Sequence, residues 1–330
     1  MKKNPPFLKI RDLAVEYTAE GQVIHAVNGV SLELHRGQTL GLVGETGAGK
    51  TTIAKSIMRI LPVPPAMVTG GEIWFDGVDL LQANAVDMRK VRGQKISMIF
   101  QDPMTALNPV MCIGNQIAEV YIVHNHVSKR EAREKAVEML ELVGIPSDRY
   151  HEYPHQFSGG MRQRVVIAIA LACNPELILA DEPTTALDVT IQAEILEMIN
   201  DLKKAYNTSM IMITHDLGVV AKVCDTVAVV YAGQVVEYGS RVQLFDHPLH
   251  PYTLGLFGAI PDLKVKTIRL HPISGMLPDP SNLPEGCFFS PRCPYATAAC
   301  TLERIPMTEV LPGHFCRCIN FERQTEGQEA

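Results

Sequence analysis

Long hydrophobic runs are missing from this sequence. The longest uninterrupted apolar stretch, residues 165–173, has nine residues, whereas a membrane-spanning helix needs roughly 20. The first six residues include three polar residues and two prolines, and no apolar segment typical of a signal peptide follows them. These absences predict a soluble, cytosolic chain, in which any membrane role must come through partner subunits.

An excess of positive charge is also missing. Lys and Arg number 30 against 36 Asp and Glu, which gives a formal net charge of −6 and a pI of about 6.0. Proteins that grip nucleic acid along a broad face are usually basic, so this balance disfavours that role. The 330 residues are 46% hydrophobic and 20% charged, which is typical of one large globular core with appendages.

Short apolar strands alternate with helical segments along much of the chain. A helix is predicted to begin at Ser128, which forms a capping box with Glu131, and to end at Gly144. A hairpin is predicted at Ala232-Gly233. Strand patterns cover residues 13–17, 30–34, 39–43, 72–75, 177–180 and 210–213. The α/β pattern predicts a mostly parallel sheet in a domain over 1–245, with a helical insertion at about 105–165 and a loop-rich region over 246–330.

The segment Gly44–Thr51, GETGAGKT, matches the Walker A pattern. Its glycines let successive backbone N–H groups point at phosphate oxygens, and the helix that follows presents its positive N-terminus to the same anion. Lys50 is then expected to reach the terminal phosphates, and the Thr51 hydroxyl to bind Mg²⁺. The alternative, a flexible glycine turn, fits less well, because an apolar strand precedes the loop and an apolar-striped helix follows it.

Two carboxylates end the apolar strand at residues 177–180. Asp181 is placed to hold Mg²⁺ as a Walker B residue. Glu182 is placed to act as the general base on the attacking water. The alternative is an acidic turn after a buried strand, which the preceding Walker A pattern makes the weaker interpretation.

Together with a third motif, these two motifs resemble those of the ABC ATPase family. Residues 157–164, FSGGMRQR, resemble the family signature L-S-G-G-Q-x-Q-R, with Phe157 in place of Leu and Met161 in place of Gln. The resemblance implies a P-loop ABC ATPase cassette with a RecA-like core, an antiparallel β subdomain and a helical signature subdomain. It also implies that Ser158, Gly159 and Gly160 bind the ATP held by a second subunit, so that ATP closes a dimer of cassettes.

The same resemblance assigns further roles one residue at a time. It implies that Tyr17 stacks on adenine, that Gln101 contacts Mg²⁺, that Asp188 lies at the dimer interface and that His215 contacts the γ-phosphate. A strand-face tyrosine, a polar strand end, a helix N-cap and a structural histidine are the respective alternatives. The implied nucleotide contacts comprise Tyr17, Gly44, Glu45, Thr46, Gly47, Ala48, Gly49, Lys50, Thr51, Thr52, Gln101 and Asp181.

Five of the eight cysteines lie in the last 44 residues. Such a cluster in a cytosolic chain suggests a metal site more than disulfides. The segment 247–253, HPLHPYT, and the cysteine spacing resemble the dipeptide, oligopeptide and nickel importer subfamily. That resemblance implies a [4Fe–4S] cluster on Cys287, Cys293, Cys300 and Cys318, with Cys316 left over. Zn²⁺ and free thiols are the alternatives.

The predicted function is ATP hydrolysis that powers the import of dipeptides or oligopeptides. The implied partners are a second ABC ATPase subunit, two membrane permease subunits and an extracytoplasmic binding protein, with the chain at the cytoplasmic face of the membrane. The alternatives are the same motor for nickel or another solute, and a soluble ABC ATPase acting on DNA or ribosomes. The cysteine tail is not basic, which disfavours a nucleic-acid module.

Overall fold

The fold is described from a computed structural model, which covers residues 5–185, 187–258 and 273–321. Within these residues the strands are β1 Leu8–Ala19, β2 Gln22–Leu34, β3 Thr39–Val43, β4 Ala66–Phe75, β5 Val78–Asp79, β6 Ile96–Ile99, β7 Leu177–Asp181, β8 Ser209–Ile213, β9 Thr226–Tyr231, β10 Gln234–Ser240, β11 Thr308–Leu311 and β12 His314–Cys316.

The α-helices of the same residues begin with the one that follows the glycine-rich loop. They are α1 Lys50–Met58, α2 Ala85–Val91, α3 Pro103–Ala106, α4 Ile113–Asn125, α5 Lys129–Leu142, α6 Gly159–Leu171, α7 Val189–Tyr206, α8 Leu217–Val223, α9 Arg241–Asp246, α10 Pro251–Gly258 and α11 Ala299–Leu302. Short 3₁₀ turns lie at Ser147–His151, Pro154–Gln156 and Ser290–Arg292.

The chain divides into two compact units. The first unit comprises His35–Thr39 and Gln82–Ile213, and the second comprises Pro5–Leu34, Leu40–Leu81 and the residues from Thr214 onward. Each unit contains part of the predicted ATP-binding sequence. They are therefore described one after the other.

In the first unit, β6, β7 and β8 are parallel neighbours. All residues of β7 and β8 are buried, and their Leu, Ile and Met side chains suit a strand covered on both faces. The helical segment predicted near 105–165 contains α3, α4, α5 and the start of α6. The Ser128 hydroxyl caps α5 by accepting a bond from the Glu131 backbone N–H at 3.3 Å, which is one of the two bonds of the predicted capping box.

The second unit contains two sheets. The first is antiparallel, in the order β2-β1-β4-β5, and it buries Leu13, Val15 and Val30. In the second sheet β3 is parallel to β9, and β9 is antiparallel to β10 through the predicted turn at Ala232-Gly233.

The C-terminal region contains more regular structure than its sequence indicates. Strand β12 pairs with β10, placing Cys316 opposite Glu237 and Phe315 opposite Tyr238, and β11 pairs with β12. These strands have only three and four residues, which is too short for period-two alternation to be visible. The region over 246–330 remains a predicted domain, but its last strand extends a sheet formed by residues before 245.

Candidate functional site

The glycine-rich loop connects β3 to α1 in the second unit, as its sequence predicts. Gly44 has φ 150° and Gly49 has φ 97°. A side chain at Gly44 would place its Cβ 2.1 Å from the Val230 carbonyl oxygen, and one at Gly49 would place it 2.4 Å from the Ala26 carbonyl oxygen. Only glycine therefore fits at these two positions, and the loop wraps closely over the strands beneath it.

Lys50 is the first residue of α1 and is 6% exposed. Its Nζ donates hydrogen bonds to the carbonyl oxygens of Gly44 at 2.7 Å and Glu45 at 2.9 Å. These bonds hold the ammonium group against the loop it belongs to. The positive charge is thus fixed beside a helix N-terminus, where an anion is favoured.

Tyr17 and His215 also belong to the second unit. Tyr17 is half-buried on β1, opposite Ile24 of β2 and Ala66 of β4. His215 is exposed and follows Thr214, whose backbone N–H donates to the Leu42 carbonyl oxygen at 3.3 Å. That bond fixes the start of the His215 turn to the strand that precedes the glycine-rich loop.

The carboxylate pair lies at the end of β7 in the first unit. Asp181 is 3% exposed. Glu182 follows in a left-handed conformation with φ 46°, which a non-glycine residue rarely adopts. Its backbone N–H donates to the Ile213 carbonyl oxygen at 2.9 Å, so the neighbouring strand β8 holds this conformation in place. Backbone strain of this kind is concentrated at functional sites.

Gln101 and Glu182 meet directly, although 81 residues separate them. The Gln101 side-chain amide donates to the Glu182 carboxylate at 2.9 Å, and the Thr185 hydroxyl donates to the same oxygen at 2.9 Å. Both predicted residues are therefore at the carboxyl ends of adjacent parallel strands, β6 and β7. Thr185 was not among the predicted site residues, and its only sequence signal was its place three residues after the carboxylate.

Ser158 caps α6 by accepting a bond from the Met161 backbone N–H at 3.4 Å. Asp188 caps α7 in the same way, from the Ile191 N–H at 3.0 Å. Both residues line one open depression of about 360 Å³. Its lining comprises Ser158, Gly159, Gly160, Met161, Arg164, Leu187, Asp188 and Ile191. Two predicted groups of residues thus share one surface of the first unit.

The two departures from the usual signature contact the same arginine. The Arg149 guanidinium lies 4.2 Å from the centroid of the Phe157 ring and donates to the Met161 sulfur at 3.0 Å. Glu152 holds that guanidinium through its carboxylate. Met161 lines the depression and Phe157 packs against the same arginine, while the Ser158 cap and the two glycines of the usual signature are kept.

The four cysteines expected to act together, Cys287, Cys293, Cys300 and Cys318, line one small cavity of about 10 Å³. Cys316 does not line it and is fully buried elsewhere. In the part of the chain that the structure describes, no three His, Cys, Asp or Glu side chains are arranged to hold a metal ion. A metal site is therefore not established by the geometry.

The surroundings of these thiols act on their pKa values in two directions. Burial raises the pKa of Cys287 and of Cys293, and it raises that of Cys318 to about 11, with neighbouring thiols adding to the shift. Backbone N–H groups two residues further along oppose the shift, from Phe289 and Tyr295 for the first two.

Asn320 is a residue that the sequence gave no reason to select. Its backbone N–H donates to the Cys318 sulfur at 3.4 Å, and its side-chain amide lies 3.6 Å from the Cys300 sulfur. One residue therefore links two of the four thiols. Its position two residues after a cysteine was the only available signal.

Comparisons with known proteins identify the family to which the chain belongs. A family model described as ABC transporter matches residues 27–185. The Bacillus subtilis oligopeptide transport ATP-binding protein OppD is 50% identical over 313 residues, which cover 94% of this chain and 87% of that protein. The chain belongs to the ABC transporter family of ATP-binding subunits. As an ABC ATPase it binds and hydrolyses ATP with Mg²⁺.

Other comparisons extend beyond the cassette. A model described as the C-terminal region of oligopeptide/dipeptide transporters matches residues 236–300. The Bacillus subtilis dipeptide transport ATP-binding protein DppD is 50% identical, with 89% of this chain and 88% of that protein covered. The Escherichia coli oligopeptide transport ATP-binding protein OppD is 46% identical over 94% of this chain and 92% of that protein.

Solved structures of ABC cassettes share the fold. A dimeric bacterial ABC transporter cassette has a TM-score of 0.64 and 28% identity, covering 71% of this chain and 98% of that one. A dimeric post-hydrolysis cassette bound to ADP and phosphate gives the same TM-score at 27% identity. The ABC ATPase thus has the P-loop cassette fold with mixed α/β sheets, and no helix among its described residues is long and apolar enough to span a membrane.

Proposed function

We propose that this ABC ATPase powers the import of dipeptides or oligopeptides, through closure of an ATP-bound dimer of cassettes. The observation that carries the proposal is the similarity to peptide-transport ATP-binding proteins, which extends through the C-terminal region as well as the cassette. Motors for nickel or another small solute are the alternative within the same subfamily.

The phosphate groups of ATP are assigned to the loop at residues 44–52. Its backbone wraps around glycines that no other residue can replace, and Lys50 and Thr51 stand at the N-terminus of α1. Lys50 is proposed to move its ammonium group from the loop carbonyls to the terminal phosphates. Tyr17, half-buried on β1, is proposed to stack on the adenine.

The hydrolytic step is assigned to the carboxylates after β7. Mg²⁺, when bound, neutralises charge on the β- and γ-phosphates, and Thr51, Gln101 and Asp181 are its proposed ligands. Glu182 is proposed to accept the proton of the attacking water at its carboxylate. The hydrogen bond from Gln101 orients that carboxylate, and His215 is proposed to contact the γ-phosphate.

The depression lined by Ser158 and Asp188 is proposed to receive ATP held by a second ABC ATPase subunit. Gly159 and Gly160 leave the start of α6 open, so that its N-terminal N–H groups can approach an anion. A side chain at Gly160 would place its Cβ 2.7 Å from the Ile191 Cγ2, which explains the need for glycine there. The dimeric state of the related cassettes supports this arrangement.

The C-terminal cysteines are proposed to hold a [4Fe–4S] cluster, with Zn²⁺ as the alternative. The donor set fits, because four thiols line one cavity and Cys316 is outside it. Thiolates are ligands of both iron–sulfur clusters and Zn²⁺.

The thiol environment supports the same assignment. Burial makes the thiolate forms of Cys287, Cys293 and Cys318 unfavourable, and repulsion between neighbouring thiolates adds to this effect, so the pKa values of all three are raised. A bound cationic group offsets the repulsion, and the N–H donors at Asn320 then act on a charged sulfur. When bound, the cluster would supply four iron–sulfur bonds that cross-link the C-terminal region.

The ABC ATPase is proposed to lie at the cytoplasmic face of the membrane, bound to two permease subunits that receive peptide from an extracytoplasmic binding protein. Reconstitution of these subunits in proteoliposomes tests the assignment. Dipeptide- and oligopeptide-loaded binding protein should raise ATP turnover, and nickel-loaded binding protein should not. If only nickel-loaded binding protein raised ATP turnover, the transported solute would be nickel and not a peptide. If the ATPase co-purified with no membrane subunit, a non-transport ATPase would be favoured.

A further inference from the structure

Glu45, the second residue of the phosphate loop, is held by residues from the C-terminal region. Its carboxylate accepts two bonds from the Arg292 guanidinium, one from Nη1 at 2.8 Å and one from Nη2 at 3.0 Å. Its backbone N–H donates to the Tyr252 hydroxyl at 2.9 Å. With Lys50 bound to its carbonyl oxygen, this residue is fixed at its amide, its carbonyl and its side chain.

Arg292 is itself held in one orientation. Its side chain is 6% exposed, and its Nε donates to the Ser274 carbonyl oxygen at 2.9 Å. The guanidinium lies 5.8 Å from the Tyr231 ring centroid and 6.0 Å from that of Phe289. Since a planar guanidinium makes two parallel bonds to a carboxylate, this is among the strongest pairings that two side chains form.

The aromatic rings beneath the pair form a packed base. Tyr231, Tyr252 and Phe289 contact one another with centroids 4.6, 5.2 and 5.5 Å apart. Tyr252 is fully buried, and burial raises the pKa of its hydroxyl, which therefore stays protonated and able to accept the Glu45 N–H. Rings have few rotatable bonds, so this base is rigid.

Two consequences for ATP follow. A loop that binds phosphate through successive N–H groups gains affinity when its backbone is already in place, because less order must be imposed on binding. A carboxylate in such a loop also repels an anionic ligand, and an arginine paired with it removes that repulsion. Arg292 serves both purposes at Glu45.

We propose that Arg292 is a positioning residue for ATP binding, which acts through Glu45 and makes the C-terminal region part of the nucleotide site. The inference rests on the proposed assignment of residues 44–52 to the phosphates. It predicts that Arg292 affects the affinity for ATP more than the rate of hydrolysis, because it contacts the phosphate loop, whereas the proposed general base Glu182 belongs to the other unit.

The full-length ABC ATPase is compared with Arg292→Ala, Arg292→Lys and Arg304→Ala. Arg304, an exposed arginine of the same region that lies over the Phe288 ring, is the matched control. Arg292→Ala should raise the Kd for a fluorescent ATP analogue, and the KM for MgATP, about tenfold, with kcat changed less than threefold. Lysine, which keeps the charge but not the paired geometry, should recover part of the affinity, and Arg304→Ala should match wild type.

A second pair of variants keeps the test decisive if Arg292→Ala lowers the melting temperature. Glu45→Gln removes the carboxylate that Arg292 neutralises, so Arg292→Ala combined with Glu45→Gln should bind ATP more tightly than Arg292→Ala alone. The proposal would be overturned if the two substitutions changed the Kd for ATP independently, so that their separate fold-changes multiplied in the double variant. It would also be overturned if Arg292→Ala left the Kd unchanged. Wild-type protein that binds no ATP would refute the phosphate-loop assignment instead.

Discussion

His250 is buried in the neutral form, and acid should therefore destabilise the C-terminal region through this one ring. The side chain is 1% exposed, and its Nδ1 accepts a bond from the Tyr252 backbone N–H at 3.1 Å. Burial lowers the pKa of His250 from 6.5 to about 4; Glu237 opposes this shift and Arg317 adds to it. Protonation of Nδ1 also removes the acceptor that Tyr252 uses.

The sign and the size follow from proton linkage. The unfolded chain binds a proton at this histidine near pH 6.5, whereas the folded chain binds it only near pH 4. Stability from this group is therefore complete above pH 6.5 and is lost as the pH falls toward 4. One pKa unit corresponds to about 1.36 kcal/mol, so the full loss is roughly 3 kcal/mol, and by pH 5.5 it is about 1 kcal/mol.

Urea unfolding at several pH values between 7 and 4.5 measures this effect. Trp74, the single tryptophan, lies on β4 of the second unit and gives the fluorescence signal. His250→Asn should be less stable than wild type at pH 7 and should lose less stability on acidification. His247→Asn, at an exposed histidine nearby, should keep the wild-type dependence. Parallel loss of stability in wild type and His250→Asn would refute the reasoning.

Three further predictions concern the proposed sites. Glu182→Gln should keep ATP binding, trap the closed dimer and slow hydrolysis at least about 100-fold; gel filtration with ATP and phosphate release measure both, and near-wild-type turnover would remove the general base. Tyr17→Ala should weaken ATP binding about tenfold while Tyr17→Phe should not, as loss of ring stacking requires; titration with a fluorescent nucleotide distinguishes them, and equal affinities would place Tyr17 away from adenine. Anaerobically purified Cys318→Ser should lose iron and the absorbance near 400 nm that Cys316→Ser keeps; a colourless wild type would remove the cluster.

The local parts of the site could be predicted from the sequence. The glycine-rich loop and the carboxylates after β7 depend on short patterns with fixed spacing, and the structure places both at strand ends. Gly44 and Gly49 illustrate why: steric contact with the carbonyls beneath them permits no other residue. Steric constraints of this kind restrict the residue type at a few neighbouring positions, so a short sequence pattern shows them.

Contacts between distant residues could not be predicted in the same way. Gln101 and Glu182 are 81 residues apart, and Glu45 and Arg292 are 247 apart. Neither pair has a spacing that a motif would capture, because the folded backbone alone brings the partners together. The Arg149 contacts with Phe157 and Met161 could not be predicted either, because no motif fixes such a contact even though Arg149 and Met161 are only 12 residues apart.

The bond between Arg292 and Glu45 limits how this protein can be recombined. The phosphate-loop pattern allows any residue at position 45, so the cassette alone does not require a glutamate there. The requirement comes from Arg292, which lies near the other end of the chain. The C-terminal region is therefore not an interchangeable module: transferred to a cassette with a different residue at position 45, it would bring a buried cation without a partner. The two positions should be inherited as a pair.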